Sequence, residues 1–294
     1  MRISLLLAAV LVLSACDSGS SVEEIPQYFQ AQMIFENMPP LDGGAAYEGW
    51  AQVDGAWMSI GRFNYDENGR LVDLSGRLIA NTFITEFDLQ PATEILVTIE
   101  GRRDADLDPS DTHVLRGAVV GSGAAPTFTE AVTDLSTAVV NYTVGTPTDS
   151  DPSNESFGIW LGTPGTYQPA ATLPALGAGW QYELWAELSS GPASLGKFTD
   201  PATRDSAAPF SNQPETFAVP GESFVENPPA GETFPLDVSG LTIFLTVEPE
   251  PDDFEETPYG IRFHEATVPG AVTGGESLSM SATGALPMGT VQFR

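Results

Sequence analysis

The chain repeats itself, and the repeat is written in strand-forming residues. One copy reads Met38-Pro39-Pro40-Leu41, then Tyr47-Glu48-Gly49-Trp50-Ala51, then Gly61-Arg62-Phe63. The other reads Leu173-Pro174-Ala175-Leu176, then Tyr182-Glu183-Leu184-Trp185-Ala186, then Gly196-Lys197-Phe198. Leu41, Tyr47, Glu48, Trp50, Ala51, Gly61 and Phe63 map onto identical residues at one constant offset of 135. Further on, Ile95-Leu96-Val97-Thr98-Ile99-Glu100 matches Ile243-Phe244-Leu245-Thr246-Val247-Glu248 at an offset of 148. The second copy therefore holds 13 extra residues between the blocks. They are expected in the proline-rich stretch Thr199–Glu232, as a long irregular loop. A unit written twice must solve the same burial problem twice, which narrows the fold more than any single motif does.

Alternation sets the local structure. In a strand, Tyr47, Gly49 and Ala51 point to one face, and Glu48 and Trp50 to the other. A large aromatic on each face suits a sandwich strand, packed on one side and covered on the other. Asp54-Gly55 and Gly191-Pro192 mark tight turns. Asp66-Glu67-Asn68-Gly69 is a hairpin signal, because Asn-Gly readily takes positive φ. Leu96 to Glu100 is a near-continuous apolar, β-branched run, as a central strand should be. With 29 Gly and 24 Pro and no long amphipathic helical stretch, the chain reads as all-β. Thr129–Val140 is the longest helical candidate, and its β-branched end reads as strand.

We expect two tandem antiparallel β-sandwich (immunoglobulin-like) domains, residues 22–123 and 124–294. Thr127–Leu161 would supply the opening hairpin of the second, and Gly289–Phe293 would close a sheet. Tyr47, Trp50, Phe63, Tyr182, Trp185 and Phe198 form the expected repeat core. Trp50 and Trp185 could stack on a sugar, but an aromatic kept at one place in both copies more simply fills the same core position. Trp57, Trp160 and Trp180 have no such pairing.

The N-terminus reads as an address. Arg2 is a short positive region, and Ile3–Leu13 is an apolar run of the length a secretory signal needs. It is too short to span a bilayer, which takes about 20 apolar residues. Leu13-Ser14-Ala15-Cys16 follows, resembling a lipobox, and Cys16 is the only cysteine in the chain. The expected product has residues 1–15 removed as a signal peptide, Cys16 lipidated, and residues 16–24 as a tether. Several acyl chains on one residue anchor stably, since each buried CH₂ contributes about 0.8 kcal/mol. The expected location is the outer side of a bacterial membrane. A lone cysteine leaves no intrachain disulfide, so stability must come from packing.

The formal charge of −29 opposes binding to nucleic acid or to anionic head groups. It suits a soluble surface in high salt, where repulsion is screened.

The run Leu173 to Phe198, followed by Leu245-Thr246-Val247-Glu248-Pro249 and Pro258, resembles the extracytoplasmic domain of anti-sigma-K factor (RskA-type) proteins. The resemblance covers about Leu173 to Gly270, and the first copy is a more diverged version. Gly145–Asp149 with Phe157-Gly158-Ile159-Trp160 resembles the strand pair preceding this block in lipoprotein relatives. Full anti-sigma factors of this kind carry a cytoplasmic sigma-binding domain and one transmembrane helix before the outer domain, and neither is read in this chain. The resemblance thus implies a fold, not a sigma-binding activity.

Candidate chemistry is sparse. The loop after the first Thr-x-Glu strand carries Asp104, Asp106, Asp108 and Asp111, whose alternation could converge on Ca²⁺. It lacks the glycine and distal glutamate of an EF-hand loop, and solvated carboxylates are the default in so acidic a chain. The loop after the second, Pro251–Glu256, is acidic too. No other cofactor is expected. His113 and His264 have no cysteine partners and make no zinc motif. There is no Gly-x-Ser-x-Gly elbow and no phosphate-cradling glycine loop. Among 40 acidic residues, spacing selects no glycosidase pair. The expected function is therefore non-catalytic: a lipid-anchored envelope protein that binds an envelope protein or ligand in sensing or structure. The alternatives are an accessory regulator of an anti-sigma pathway and an anchored hydrolase with an unrecognised carboxylate site.

Overall fold

The computed structural model describes residues 27–102, 104, 106–206, 209–211, 217–250, 257–272 and 274–294. The expected signal peptide, Cys16, the expected tether and residues 251–256 lie outside the described residues. The described chain is all-β, with two short 3₁₀ turns, Phe128–Glu130 and Leu135–Thr137, where a helix was the alternative.

Nine antiparallel strands form the first sheet. Their order is Leu71–Val72, Ala56–Tyr65, Ala46–Val53, Ala92–Glu100, His113–Val120, Gly123–Ala124, Met288–Phe293, Gln30–Glu36 and Thr82–Ile84. The sheet curls until its two ends meet, with the Phe83 ring 5.8 Å from that of Phe63. The strand Met288–Phe293 closes a sheet, but it is the first repeat's sheet. It lies between Gly123–Ala124 and Gln30–Glu36, pairing Val291 with both Met33 and Ala124. The unit spanning residues 22–123 thus takes a strand from the far end of the chain.

The second repeat has a five-stranded sheet ordered Gly191–Phe198, Trp180–Leu188, Thr242–Pro249, Arg262–Thr267 and Ser281–Ala282. Facing it are Ala171–Thr172, Val139–Val144, Gly158–Trp160 and Gly221–Ser223, with Ser277–Ser279 also paired to Val139–Val144. Val139–Val144 and Gly158–Trp160 pair antiparallel within the stretch read as an opening hairpin. The proline-rich stretch is not wholly irregular, since Gly221–Ser223 is a strand within it.

The duplication extends to the irregularities. Each copy has a β-bulge at the tryptophan, where Trp50 opposes Ser59 and Trp185 opposes Ser194. Each bulge is turned by a glycine in the positive-φ region, Gly61 at 148° and Gly196 at 115°. Each copy has a second irregularity before the threonine of Thr-x-Glu. Where the copies differ in size, packing compensates. A Cβ on Gly49 would meet Met33 Sδ at 3.0 Å, so Met33 occupies space that Leu184 fills in the other copy.

All six repeat aromatics are buried. Tyr47, Phe63, Tyr182 and Phe198 lie in one apolar cluster that runs through both repeats. Each such side chain removed from water is worth about 1.5–3 kcal/mol. Trp50 and Trp185 sit on the opposite face, where each indole N–H donates to a threonine hydroxyl, Thr98 or Thr246, at 2.9 Å. Among the described residues, no helix is long and apolar enough to cross a membrane.

Candidate functional site

The reverse face of each repeat carries a buried ionisable network. In the first, the Ser59 hydroxyl and the Arg62 Nε–H both donate to Glu48, the latter at 2.5 Å. In the second, Ser194 donates to Glu183, and Lys197 Nζ lies 3.9 Å from it. Strand alternation requires this arrangement. Tyr47 and Tyr182 face the core, so their neighbours Glu48 and Glu183 face away from it, and the bulge brings a serine opposite each tryptophan.

In the first repeat the network continues into a cavity of about 750 Å³. Thr98 and Glu100, two residues apart on one strand, share a face. Trp50 donates to Thr98 Oγ1, and the Thr98 hydroxyl donates in turn to Glu100 Oε1. The Ser110 N–H also donates to Oε1, at 3.1 Å. Glu100 is 1% exposed and lines the cavity; its Oε2 takes no backbone or hydroxyl donor, and the carboxyl is hydrogen-bonded to that of Asp104. Burial first, and then the nearby Asp104 carboxylate, push the Glu100 carboxyl above the usual carboxylate range, against the pull of Thr98 and Ser110. The equivalent acid, Glu248, is differently placed. Both of its oxygens accept the backbone N–H of Tyr259, at 3.0 and 2.9 Å.

The cavity lies where the two repeats meet. Glu250 lines it from the second repeat, with Gly43, Ala45 and Ile99 on the first. Beside it, the Thr112 hydroxyl donates to the Glu250 carbonyl at 3.1 Å, and Trp180 Nε1–H donates to the His113 carbonyl at 3.0 Å. The hydroxyls of Tyr47 and Tyr259 bridge the repeats at 2.8 Å.

All four sequence-predicted aspartates border this cavity. Asp104 accepts from Arg62 Nη2 at 2.9 Å. Asp106 and Asp108 donate their backbone N–H groups to the preceding aspartate carboxylates, as successive Asx turns. Among the described residues, no group of three or more His, Cys, Asp or Glu side chains is arranged to hold a metal ion. His113 Nδ1 faces Glu130 Oε2 at 3.4 Å. His264 is buried on another strand, its Nδ1 has no partner, and burial lowers its pKa.

Sequence reasoning missed Glu100 and Glu250 as cavity residues and Arg62 as the partner of Asp104. The Thr-x-Glu recurrence was the available signal, but it reads as strand because nothing in spacing says which copy satisfies its glutamate. Comparison with known families, curated proteins and solved structures finds no match.

Proposed function

We propose that this protein is a non-catalytic, extracytoplasmic binding protein, held to a bacterial membrane by lipid on Cys16 and taking its ligand in the acidic cavity between its repeats. The observation that carries this reading is the cavity itself. It is large enough for a small ligand or a partner's side chain, and among the described residues it is lined by Glu100, Asp104, Asp106, Asp108, Asp111 and Glu250 against one cation, Arg102. The leader ending in Leu-Ser-Ala-Cys supports the anchor, and the resemblance to anti-sigma-K outer domains supports an envelope role. The charge supports partners other than nucleic acid.

Two measurements test it. Mass analysis of the N-terminal peptide from cells should find diacylglyceryl-modified Cys16, with Cys16→Ala releasing the protein from membranes. The soluble form from Ser18 onward should capture a component of envelope extracts, with capture lost in the double variant Asp108→Lys/Asp111→Lys. Both side chains are exposed, so the substitutions leave the core alone. Capture unchanged by charge reversal would refute the cavity as the binding site. No capture, together with turnover of a hydrolase panel, would overturn the binding reading.

The Glu100–Asp104 pair favours one second reading, a hydrolase using two carboxyl groups as general acid and base. The first is preferred because the nearby hydroxyls are already committed: Ser110 donates to the Ile99 carbonyl, Thr112 to that of Glu250. Asp104 is held by Arg62. Glu100→Gln abolishing turnover would establish the second.

A further inference from the structure

The two copies close against their bulge glycines with different chemistry. In the first, the Phe83 ring edge lies 3.0 Å from where a Cβ on Gly61 would be, and Phe83 packs on Phe63. That contact is apolar. In the second, the Asp205 carboxyl takes the place against Gly196. Asp205 and Ser206 stitch the two sheets of this repeat together. The Ser206 N–H donates to the Lys197 carbonyl at 2.8 Å, on the edge strand of the five-stranded sheet. The Gly221 N–H donates to Asp205 Oδ2 at 2.8 Å, on the edge strand of the facing sheet.

Glu222, the next residue, puts a second acid into this seam. It is fully buried, pairs with Ile159 and accepts the Ser211 hydroxyl at 2.7 Å. Burial first, and then Asp205, push its carboxyl up to about 8, against the pull of Ser211, the Phe210 backbone and Arg204. Among the described residues, Asp205 and Arg204 are thus the charged groups that act on it. Its partner strand Gly158–Trp160 carries no ionisable side chain, and Lys197 on the sheet edge lies against Glu183. Two carboxylates in so closed a place repel strongly, because water does not screen them. The seam is also short, with three residue pairs between Gly221–Ser223 and Gly158–Trp160. Such pairings open before the core strands do.

We propose that Asp205 and Glu222 form an alkaline latch on the second repeat: a proton on Glu222 keeps the seam shut, and its loss frees Gly221–Ser223 from Gly158–Trp160 while the Thr242–Pro249 strand stays paired. The first repeat, closed by Phe83, has no such latch at its seam. The inference does not depend on the cavity between the repeats or on what it binds.

The test is amide hydrogen exchange of the full-length protein in detergent, read by mass spectrometry and corrected for the base-catalysed chemical rate. The shut seam holds a proton that the open seam releases above pH 4.5, so the open-to-shut ratio should rise about tenfold per pH unit and level off above 8. Between pH 5.5 and 7.5 the peptide covering residues 221–223 should therefore open about a hundredfold more often. The peptide covering residues 242–249 should open at least a hundredfold less often than 221–223 at each pH. Glu222→Gln should make the opening of 221–223 independent of pH. Asp205→Asn should make the rise level off at lower pH, because the neighbouring charge is gone. Should Glu222→Gln fail to fold, the slope in the unaltered protein and its shift in Asp205→Asn still decide the matter. A flat ratio in the unaltered protein, a slope that survives Glu222→Gln, or equal opening of the two peptides would overturn the proposal.

Discussion

Tyr47 and Tyr182 occupy the same place in the two repeats, but their hydroxyls do different amounts of structural work, and Tyr→Phe at each measures the difference. Tyr182 donates one hydrogen bond, to the partly exposed Pro174 carbonyl at 2.7 Å. Tyr47 donates to the Pro39 carbonyl at 2.8 Å, so the bond to Tyr259 runs from the Tyr259 hydroxyl to the Tyr47 oxygen. Both tyrosines of that bridge are nearly fully buried. Tyr182→Phe removes one bond near solvent and should cost about 0.5–1.5 kcal/mol. Tyr47→Phe removes two bonds and leaves the buried Tyr259 hydroxyl and Pro39 carbonyl unsatisfied, which should cost about 2–4 kcal/mol. Tyr259→Phe removes only the donor and should cost about 1 kcal/mol. The double variant Tyr47→Phe/Tyr259→Phe should then cost less than the sum of the singles, because the Tyr259 hydroxyl is no longer stranded. Urea unfolding followed by tryptophan fluorescence gives the four free energies. Equal losses at Tyr47 and Tyr182, or strict additivity in the double variant, would refute the account of the bridge between the repeats.

Four further outcomes follow from particular contacts. The Glu222 carboxyl is pushed from 4.5 up to about 8, by burial first and then by Asp205, against the pull of Ser211. The folded chain therefore keeps a proton that the unfolded chain releases above pH 4.5, so stability is full below that pH and is lost as pH rises through 8. Glu222→Gln should flatten this decline, read as urea midpoints at pH 5 and 8.5, and an unchanged slope would exclude Glu222 as its source. At the bulges, Gly196→Ala should cost more than Gly61→Ala in thermal unfolding. A new Cβ would lie 2.4 Å from Asp205 Cγ in the first case, against 3.0 Å from the edge of the Phe83 ring in the second. Deleting residues 288–294 removes the buried Val291 and Phe293 and opens the first sheet between Gly123–Ala124 and Gln30–Glu36. The loss should be about 3–6 kcal/mol from the two side chains alone, seen as rapid limited proteolysis, and wild-type protease resistance would contradict the sheet order. Finally, Trp50→Phe and Trp185→Phe should destabilise by similar amounts, about 1–3 kcal/mol each in urea unfolding, because each removes the indole donor to a buried threonine oxygen.

The all-β class was legible because its causes are local. Alternation at Tyr47–Ala51 and Tyr182–Ala186, the Asn68-Gly69 turn and the β-branched run ending in Glu100 are short-range signals, and the constant offset showed that they recur as a unit. The aromatic pairs were legible for the same reason, since one register placed twice must fill one kind of space. The candidate site was half legible. The Asp104–Asp111 loop stood out by composition, but Asp104 and Asp106 spend acceptors on Arg62 and on the loop's own backbone, and among the described residues no three carboxylates converge.

Two things belonged to the tertiary structure alone. The closing of the first sheet by Met288–Phe293 joins residues more than 160 positions apart, and no local pattern states which edge a late strand will find. The fate of Glu100 is the other. Glu100 and Glu248 sit in the same motif, and sequence makes them equivalent. They differ because Tyr259 delivers its N–H to one, while the other is left bordering a cavity where the repeats meet. Hydrogen-bond satisfaction depends on which groups arrive from elsewhere in the chain, so only the assembled fold could decide it.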